Sequence, residues 1–342
     1  MVVTGGAGFI GSAFVRHTLV ARADIQIVTL DKLTYAGNLE NLRPVQGSVR
    51  HRFVHGDICN PSVVAELLRE ERVDAIVHFA AESHVDRSIL SPDAAIETNV
   101  RGTTTLLSAA HEARIGRFVH VSTDEVYGDI DPPLEADEAY PLRPSSPYAA
   151  SKAASDLLAL AYVRTYRLPV VITRASNNYG PYQFPEKLIP LMIARALAGE
   201  ALPVYGDGLQ VRDWLYVDDH CRAILGVLDR GRDGEIYNIG GNCALSNLEV
   251  IRQVLRIVGA PESLITTVTD RPGHDRRYAL NSEKLAREIG VVPQTSFDEG
   301  LAATVRWYQE HADWIARVRS GEYREYYQQN YAWRESTARA HT

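Results

Sequence analysis

Five side chains in the middle of the sequence could carry chemistry together. Thr123, Asp124 and Glu125 stand in the run Ser122-Thr123-Asp124-Glu125-Val126-Tyr127-Gly128, directly after the apolar run Arg117 to Val121. That run reads as a buried strand. The two adjacent carboxylates therefore fall at a strand's C-terminal end, where ligands bind in open α/β sheets. Tyr148 and Lys152 follow in Tyr148-Ala149-Ala150-Ser151-Lys152. Residues at this spacing share one face of a helix. An ammonium beside a phenol favours the phenolate, so Tyr148 becomes a base usable near neutral pH. Placed beside a nicotinamide, it could take the proton of a sugar hydroxyl held by Thr123 while the carbon gives up hydride. A surface pair of Tyr and Lys is the bland alternative.

Oxidation alone does not need the carboxylates. Once a sugar is oxidised at C4, its C5 proton is acidic, because the carbanion is delocalised into the new ketone. A base can then remove that proton while an acid protonates the C6 hydroxyl as it leaves. Two carboxylates in different environments can hold those opposite roles. The competing reading is a solvated acidic pair in a turn.

These groups need elements to position them and a cofactor to work on. Met1 to Val3 reads as a first strand, short enough to be read as a trimmed start. It runs into Thr4-Gly5-Gly6-Ala7-Gly8-Phe9-Ile10-Gly11. Glycines at 5, 8 and 11, after a strand and before an apolar-periodic helix, offer a tight turn and free N–H groups to a pyrophosphate. Ile25 to Leu30 is a second strand, and Asp31 at its end is placed for adenosine ribose hydroxyls. That favours NAD over NADP, although Lys32 beside it could meet a phosphate.

Further strands are expected at 52–58, with Asp57 facing the adenine, at 74–81, at 117–121 and at 168–173. Helices are expected at 61–71, over a long stretch at 93–114, and at 148–166. Strands alternating with helices give an α/β fold, a Rossmann-like doubly wound parallel sheet. After Arg174 the alternation loosens. Residues 1–175 are read as the NAD-binding domain and 176–342 as a smaller mixed α/β domain for a nucleotide sugar. The latter is expected to hold strands near 203–205, 214–216 and 236–239, with helices near 218–228, 247–258 and 298–312. The tail with Tyr323, Tyr326, Tyr327 and Tyr331 reads as a docked terminal helix. His84 has no second His or Cys at ligand spacing, so it is read as structural or substrate-lining, and no metal site is expected.

The whole composition bounds the function. The chain has 342 residues, 45% of them apolar, 23% charged, with a net charge of −7. A general nucleic-acid or membrane surface does not fit that balance, so a substrate anion must be met by local cations. Cys59, Cys221 and Cys243 are too few and too far apart for a disulfide framework, which fits a reducing, cytoplasmic setting. No apolar run is long enough to span a bilayer. Only Lys32, Lys152, Lys187 and Lys284 among the 36 basic residues are lysines, which draws attention to the lysine beside the phenol.

These motifs resemble the extended short-chain dehydrogenases/reductases, and within them the dTDP-glucose 4,6-dehydratases. The resemblance runs from about Val2 to Tyr331. It rests on TGGAGFIG at 4–11, DKLTYAGNLENL at 31–42, HFAAESHVDRS at 78–88, STDEVYG at 122–128 and SPYAASKAASD at 146–156. It continues through NNYGPYQFPEKLIP at 177–190, GDGLQVRDWLYVDDH at 206–220 and DRPGHDRRY at 270–278. The resemblance implies that Tyr148 and Lys152 act with NAD, that Thr123 holds the C4 hydroxyl, that Asp124 is the acid at O6 and that Glu125 is the base at C5. It implies NAD contacts at Phe9, Ile10, Asp31, Lys32, Thr34 and Asp57. Ile58, Ala80, Thr98 and Asn178 complete them. It implies sugar-nucleotide contacts at Ser83, Asn177, Lys187, Leu188, Pro203 and Tyr205, and at Arg212, Asn247, Arg271 and His274. The two arginines make sense as clamps on a pyrophosphate. It also implies a homodimer paired through the helix of Tyr148 and the helix near 95–113. Related epimerases lack the acidic pair, and the related decarboxylases and GDP-mannose dehydratases resemble Thr-Ser-Glu there, without the Asp. A UDP-glucose dehydratase, a UDP-sugar 4-epimerase and a non-catalytic NAD-binding scaffold are the other readings.

Overall fold

The computed structural model describes residues 1–320. β1 (Val2–Thr4) is wholly buried and runs through the glycine turn into α1 (Phe9–Ala21). Gly5 has a φ of +68°, and a Cβ there would meet the Ala80 backbone nitrogen at 2.6 Å. A Cβ on Gly11 would collide with the Gly5 carbonyl oxygen. Only glycine allows this turn and this approach. β2 (Ile27–Asp31) and β3 (His51–His55) extend the sheet on one side of β1. β3 stops short of the expected 52–58 because Asp57 turns the chain, its Oδ1 accepting from the Cys59 N–H at 2.9 Å. α2 (Pro61–Glu70) starts where Asn60 caps the N–H groups of Ser62 and Val63, with Pro61 as first helical residue. β4 (Ala75–His78), shorter than the expected 74–81, pairs on the other side of β1.

α3 (Val85–Leu90) and α4 (Pro92–Ala95) follow. The single long helix expected over 93–114 is divided. The backbone widens into π-helical turns over Ile96–Gly102 before α5 (Thr103–Glu112). Asn99 gives the reason. Its side chain accepts from Glu82 N at 2.8 Å and donates to Glu82 O at 2.9 Å and Ser151 Oγ at 2.8 Å. Gly102 also packs on Ile58, where a Cβ would come within 2.5 Å. The widened turn places Thr98 against the central cavity, a common use of π-bulges.

β5 (Arg117–Thr123) is buried along nearly its whole length, as expected of a central parallel strand. After a 3₁₀ turn and a long loop, α6 (Pro147–Tyr166) begins at Ser146, whose Oγ accepts from the Ala149 N–H at 3.1 Å. β6 (Val170–Ala175) runs two residues beyond its expected end at Thr173, because Thr123 and Ala175 are still in register. Then come β7 (Asn177–Tyr179), α7 (Leu188–Leu197), β8 (Leu202–Tyr205) and β9 (Val211–Tyr216). α8 (Val217–Arg230), β10 (Ile236–Ile239) and β11 (Ala244–Ser246) follow. The chain continues through α9 (Asn247–Val258), β12 (Ile265–Val268) and α10 (Glu283–Ile289). α11 (Phe297–Glu310) and α12 (Ala312–Arg319) replace the one helix expected at 298–312. The Tyr-rich tail lies outside the described residues.

The main sheet is fully parallel, in the order β3-β2-β1-β4-β5-β6-β10. It is a doubly wound, Rossmann-like sheet, and its order reverses between β1 and β4, where such sheets open a crevice for ligands. β10 joins the main sheet although it lies beyond the expected division at 175/176. It pairs with β6 in the main sheet, Ile236 opposite Ile172. α8 likewise packs on α1 and shares its apolar core. The reason is burial: Ile224, Val227 and Leu228 cover the same sheet face as Phe14 and Val15. The rest of the later chain forms the three-stranded sheet β11-β9-β7 and the two-stranded β12-β8. With α7, α9 and α11 these strands hold an apolar core of their own. α9 and α11 each start on a capping box, Ser246 with Glu249 and Ser296 with Glu299. Among the described residues no helix is long and apolar enough to cross a membrane.

Candidate active site

The C-terminal end of β5 supplies three of the five reacting groups. Thr123 Oγ1 accepts from the Glu125 N–H and donates to Asp124 Oδ1, each at 3.3 Å. This closes the 3₁₀ turn Asp124–Tyr127 and holds both carboxylates at the strand end. α6 brings the other two. Its first turn is docked on α3, where Ser88 Oγ accepts from the Tyr148 N–H at 3.1 Å. Lys152, one turn on, donates from Nζ to the Val121 carbonyl at 2.7 Å. All five side chains line one cavity of about 300 Å³.

Tyr148 and Asp124 are buried, only 8% and 2% exposed. One expectation is corrected here: the Tyr148 phenol is not lowered. Burial pushes Tyr148 up, Glu125, Asp124 and Asp156 push it further, and a hydrogen bond with Thr123 opposes them. The ammonium is turned to Val121 O instead. Burial also brings Lys152 down to about 8, with Asp156 resisting.

The two carboxylates differ as their proposed chemistry would need. Asp124 is held well above the ordinary carboxylate range by burial and by the charges of Glu125 and Asp213, against Arg212 and the Thr123 hydrogen bond. Its Oδ2 has no hydrogen-bond partner among the described residues. Glu125 is raised by burial, but Arg271, Lys187 and Arg212 all pull it back towards ionisation. One carboxyl is thus set to keep a proton and its neighbour is surrounded by cations.

The cofactor half of the cavity lies over the crossover of β1 and β4. Gly5, Gly8, Phe9, Ile10 and Gly11 line it at the start of α1. Gly8 is the N-cap and no side chain caps this helix, so its first N–H groups face the cavity as an anion site. Asp31, Lys32 and Thr34 line it after β2, and Asp57 and Ile58 after β3. Lys32 does not stand free for a 2′-phosphate, since its Nζ lies 2.6 Å from Asp57 Oδ2. Ala80, Thr98 and Asn178 complete this half. The residues present fit NAD: an uncapped helix start for the pyrophosphate, and the buried Asp31 carboxylate at the ribose position.

The substrate residues fall into two groups. Ser83, Asn177 and Lys187 line the cavity, with Lys187 Nζ donating to Ser83 O at 2.7 Å. The others lie beyond it. Arg271 reaches Asp86 at 3.2 Å, and Tyr205 OH donates to the same carboxylate at 2.9 Å. His274 stands edge-on to Tyr205. Arg212 lies over the Tyr278 ring and donates to Asp275 O at 2.9 Å. Pro203, Leu188 and Asn247 sit in β8 and at the starts of α7 and α9, outside the cavity. His84 is buried near Glu186, and no group of three or more His, Cys, Asp or Glu side chains among the described residues could hold a metal.

The sequence reading missed several lining groups. Glu186, Gln183 and His220 all face the cavity, and Tyr278 with Asp275 supports Arg212. Each stood inside a quoted motif, but no spacing marked it. Glu186 is pushed up to about 7 by burial, against Lys187, Arg87 and a hydrogen bond from Tyr35.

A family model described as GDP-mannose 4,6 dehydratase matches residues 2–304. The dTDP-glucose 4,6-dehydratase of Shigella flexneri is 50% identical, over 98% of this chain and 99% of its own. That of Xanthomonas campestris pv. campestris is 53% identical over 94% and 97%. A dTDP-glucose 4,6-dehydratase from Streptomyces venezuelae, solved with NAD bound, superposes with a TM-score of 0.90. It is 57% identical, with 93% of this chain and 99% of that one covered.

Glu186 gives a pH test. Its folded pKa of about 7 lies above that of an unfolded glutamate, so the native state binds the proton more tightly. Its stabilising contribution is complete below about pH 4.5 and is lost as pH rises towards 7. Urea unfolding across that window should show stability falling in the wild type and falling less in Glu186→Gln. An unchanged slope contradicts the assignment.

Proposed function

This chain belongs to the dTDP-glucose 4,6-dehydratase family, and on that footing we propose that it converts dTDP-glucose into dTDP-4-keto-6-deoxyglucose and water. It is an NAD-dependent enzyme. The observation that carries the reading is the Asp124–Glu125 pair at the end of β5, one carboxyl shielded and the other ringed by cations. A 4-epimerase or a scaffold has no use for such a pair.

When bound, NAD would supply the acceptor of the C4 hydride, the later donor to C6 and, in its oxidised form, a positive charge. Thr123 holds the C4 hydroxyl, and Tyr148 takes its proton. Lys152, held on the Val121 carbonyl, stands one helical turn behind Tyr148. Glu125 removes the C5 proton. Asp124 gives its proton to the C6 hydroxyl, which leaves as water. Glu125 then returns the proton to C5. The proton gained by Tyr148 balances the one given up by Asp124, so the site ends the cycle with the protons it had. Arg212, Arg271 and Lys187 neutralise the diphosphate, as the cations of an otherwise acidic chain must.

We also propose a homodimer and a cytoplasmic setting. Leu157 on α6 and Ile96 in the π-helical turns are large apolar residues more than half exposed on adjacent helices. All three cysteines are free thiols, which fits a reducing compartment.

Incubated with dTDP-glucose and no added reductant, the protein should yield a sugar nucleotide lighter by one water, and UDP-glucose should not. Loss of water from UDP-glucose alone or equally would keep the mechanism and change the substrate. Conversion to an isomer of unchanged mass would mean an epimerase. Asp124→Asn should slow water loss about 10²- to 10⁴-fold, the usual worth of a positioned acid. Exchange of the C5 proton in deuterated water should survive in that variant, and wild-type turnover would refute the role. Leu157→Arg should sediment as a monomer. A dimer in that variant would move the interface elsewhere, and a monomeric wild type would refute the dimer.

A further inference from the structure

Asn178 is fixed in an orientation that determines the protonation of its neighbour. Its Nδ2 donates to the Ser176 carbonyl at 2.9 Å. A carbonyl only accepts, so the two ends of the amide are assigned. Its Oδ1 then faces His220 Nδ1 at 2.8 Å. An amide oxygen also only accepts, so His220 carries its proton on Nδ1. Gln183 completes the clamp, donating to the Asn178 carbonyl at 2.9 Å.

The other ring nitrogen is therefore a bare acceptor. His220 lies on α8, is 0% exposed, and lines the cavity. Its Nε2 has no hydrogen-bond partner among the described residues. Burial holds the ring neutral, its pKa lowered to about 3. A buried acceptor without a donor is unfavourable, and here it belongs to a ring in the wall of the cavity. The neighbouring wall is formed by Ala175, Ser176 and Asn178, from the end of β6 into β7, and β6 lies beside β5, the strand that carries Thr123. Asp31 ends β2 and Asp57 follows β3; this ribose and adenine end lies on the other side of the sheet's crossover.

We propose that His220 is a cofactor-binding residue whose Nε2 accepts a hydrogen bond from the carboxamide N–H of bound NAD. The inference rests on NAD as the cofactor. At the nicotinamide end that carboxamide is the nitrogen donor NAD offers, and the phosphates only accept. Asn178 acts behind it as a positioning residue that fixes the His220 tautomer. The contact would set the rotation of the nicotinamide ring over Thr123 and Tyr148.

The test is the binding of three ligands to the wild type, His220→Phe and the smaller His220→Leu. They are NAD, its 3-acetylpyridine analogue and ADP-ribose. The analogue replaces the carboxamide by an acetyl group, which removes the N–H donor and keeps both riboses. The wild type should bind NAD about tenfold more tightly than the analogue, the worth of one neutral hydrogen bond. Both variants should lose that preference and bind ADP-ribose as the wild type does. Equal weakening for all three ligands would make His220 a packing residue and overturn the proposal. A preference that survives in the variants, or is absent from the wild type, would overturn it too. A wild type that binds ADP-ribose and NAD no better than background would instead refute the cofactor reading itself.

Discussion

The structure depends on how it accommodates a buried ammonium. Lys152 is 4% exposed, and a cation so far from water shifts or loses its charge unless it is compensated. The compensation is Asp156, one turn further along α6, which resists the fall in the Lys152 pKa. Asp156 is held in turn. Arg174 Nε donates to it at 2.9 Å, and His120 Nε2 lies 3.3 Å away. Arg174 Nη1 donates to Tyr127 OH at 2.9 Å, and Tyr127 OH donates to Asn238 Oδ1 at 2.8 Å. Asn238 Nδ2 ends the chain on the Ala136 carbonyl at 2.9 Å. This polar chain crosses α6, β6, the 3₁₀ turn and β10. It gives a chemical reason for the sequence to return to the main sheet at 236–239: the last link behind the lysine comes from there.

The carboxylate pair obeys the same rule of burial with opposite results. Asp124 and Glu125 are adjacent, yet burial and the charges of Glu125 and Asp213 raise Asp124 against Arg212, while Arg271, Lys187 and Arg212 all pull Glu125 back. Three of the four partners outside the pair come from the later part of the chain, β9 and beyond, and Lys187 precedes α7. The smaller layer therefore supplies the field that separates the two carboxyl groups, as well as a wall for the substrate. In the proposed reaction that separation allows acid and base to work side by side.

Much of this was legible in the sequence because its causes are local. The glycine turn, Asp31 at a strand end, the Tyr148–Lys152 helical spacing and the alternation of strand and helix each follow from a few neighbouring residues. What was missed depends on distant partners. The break at 96–102 follows from Asn99 reaching Glu82 and Ser151, which no local pattern shows. β10 looks like any short apolar strand until its pairing with β6 is known. Glu186 and His220 sat in quoted motifs, but their place in the cavity comes from tertiary packing. The Tyr148–Lys152 reading erred for a related reason. Spacing gave the shared face correctly and said nothing of the Val121 carbonyl, which takes the ammonium.

The proposed acid and base roles require that Asp124 keep its proton at neutral pH and that Glu125 give its proton up. Infrared difference spectra of wild type against Asp124→Asn, and of wild type against Glu125→Gln, test this directly at pH 7. The first difference should remove a protonated carboxyl C=O band and the second should remove carboxylate bands. A protonated band lost with Glu125 and kept without Asp124 would contradict it and exchange the two roles.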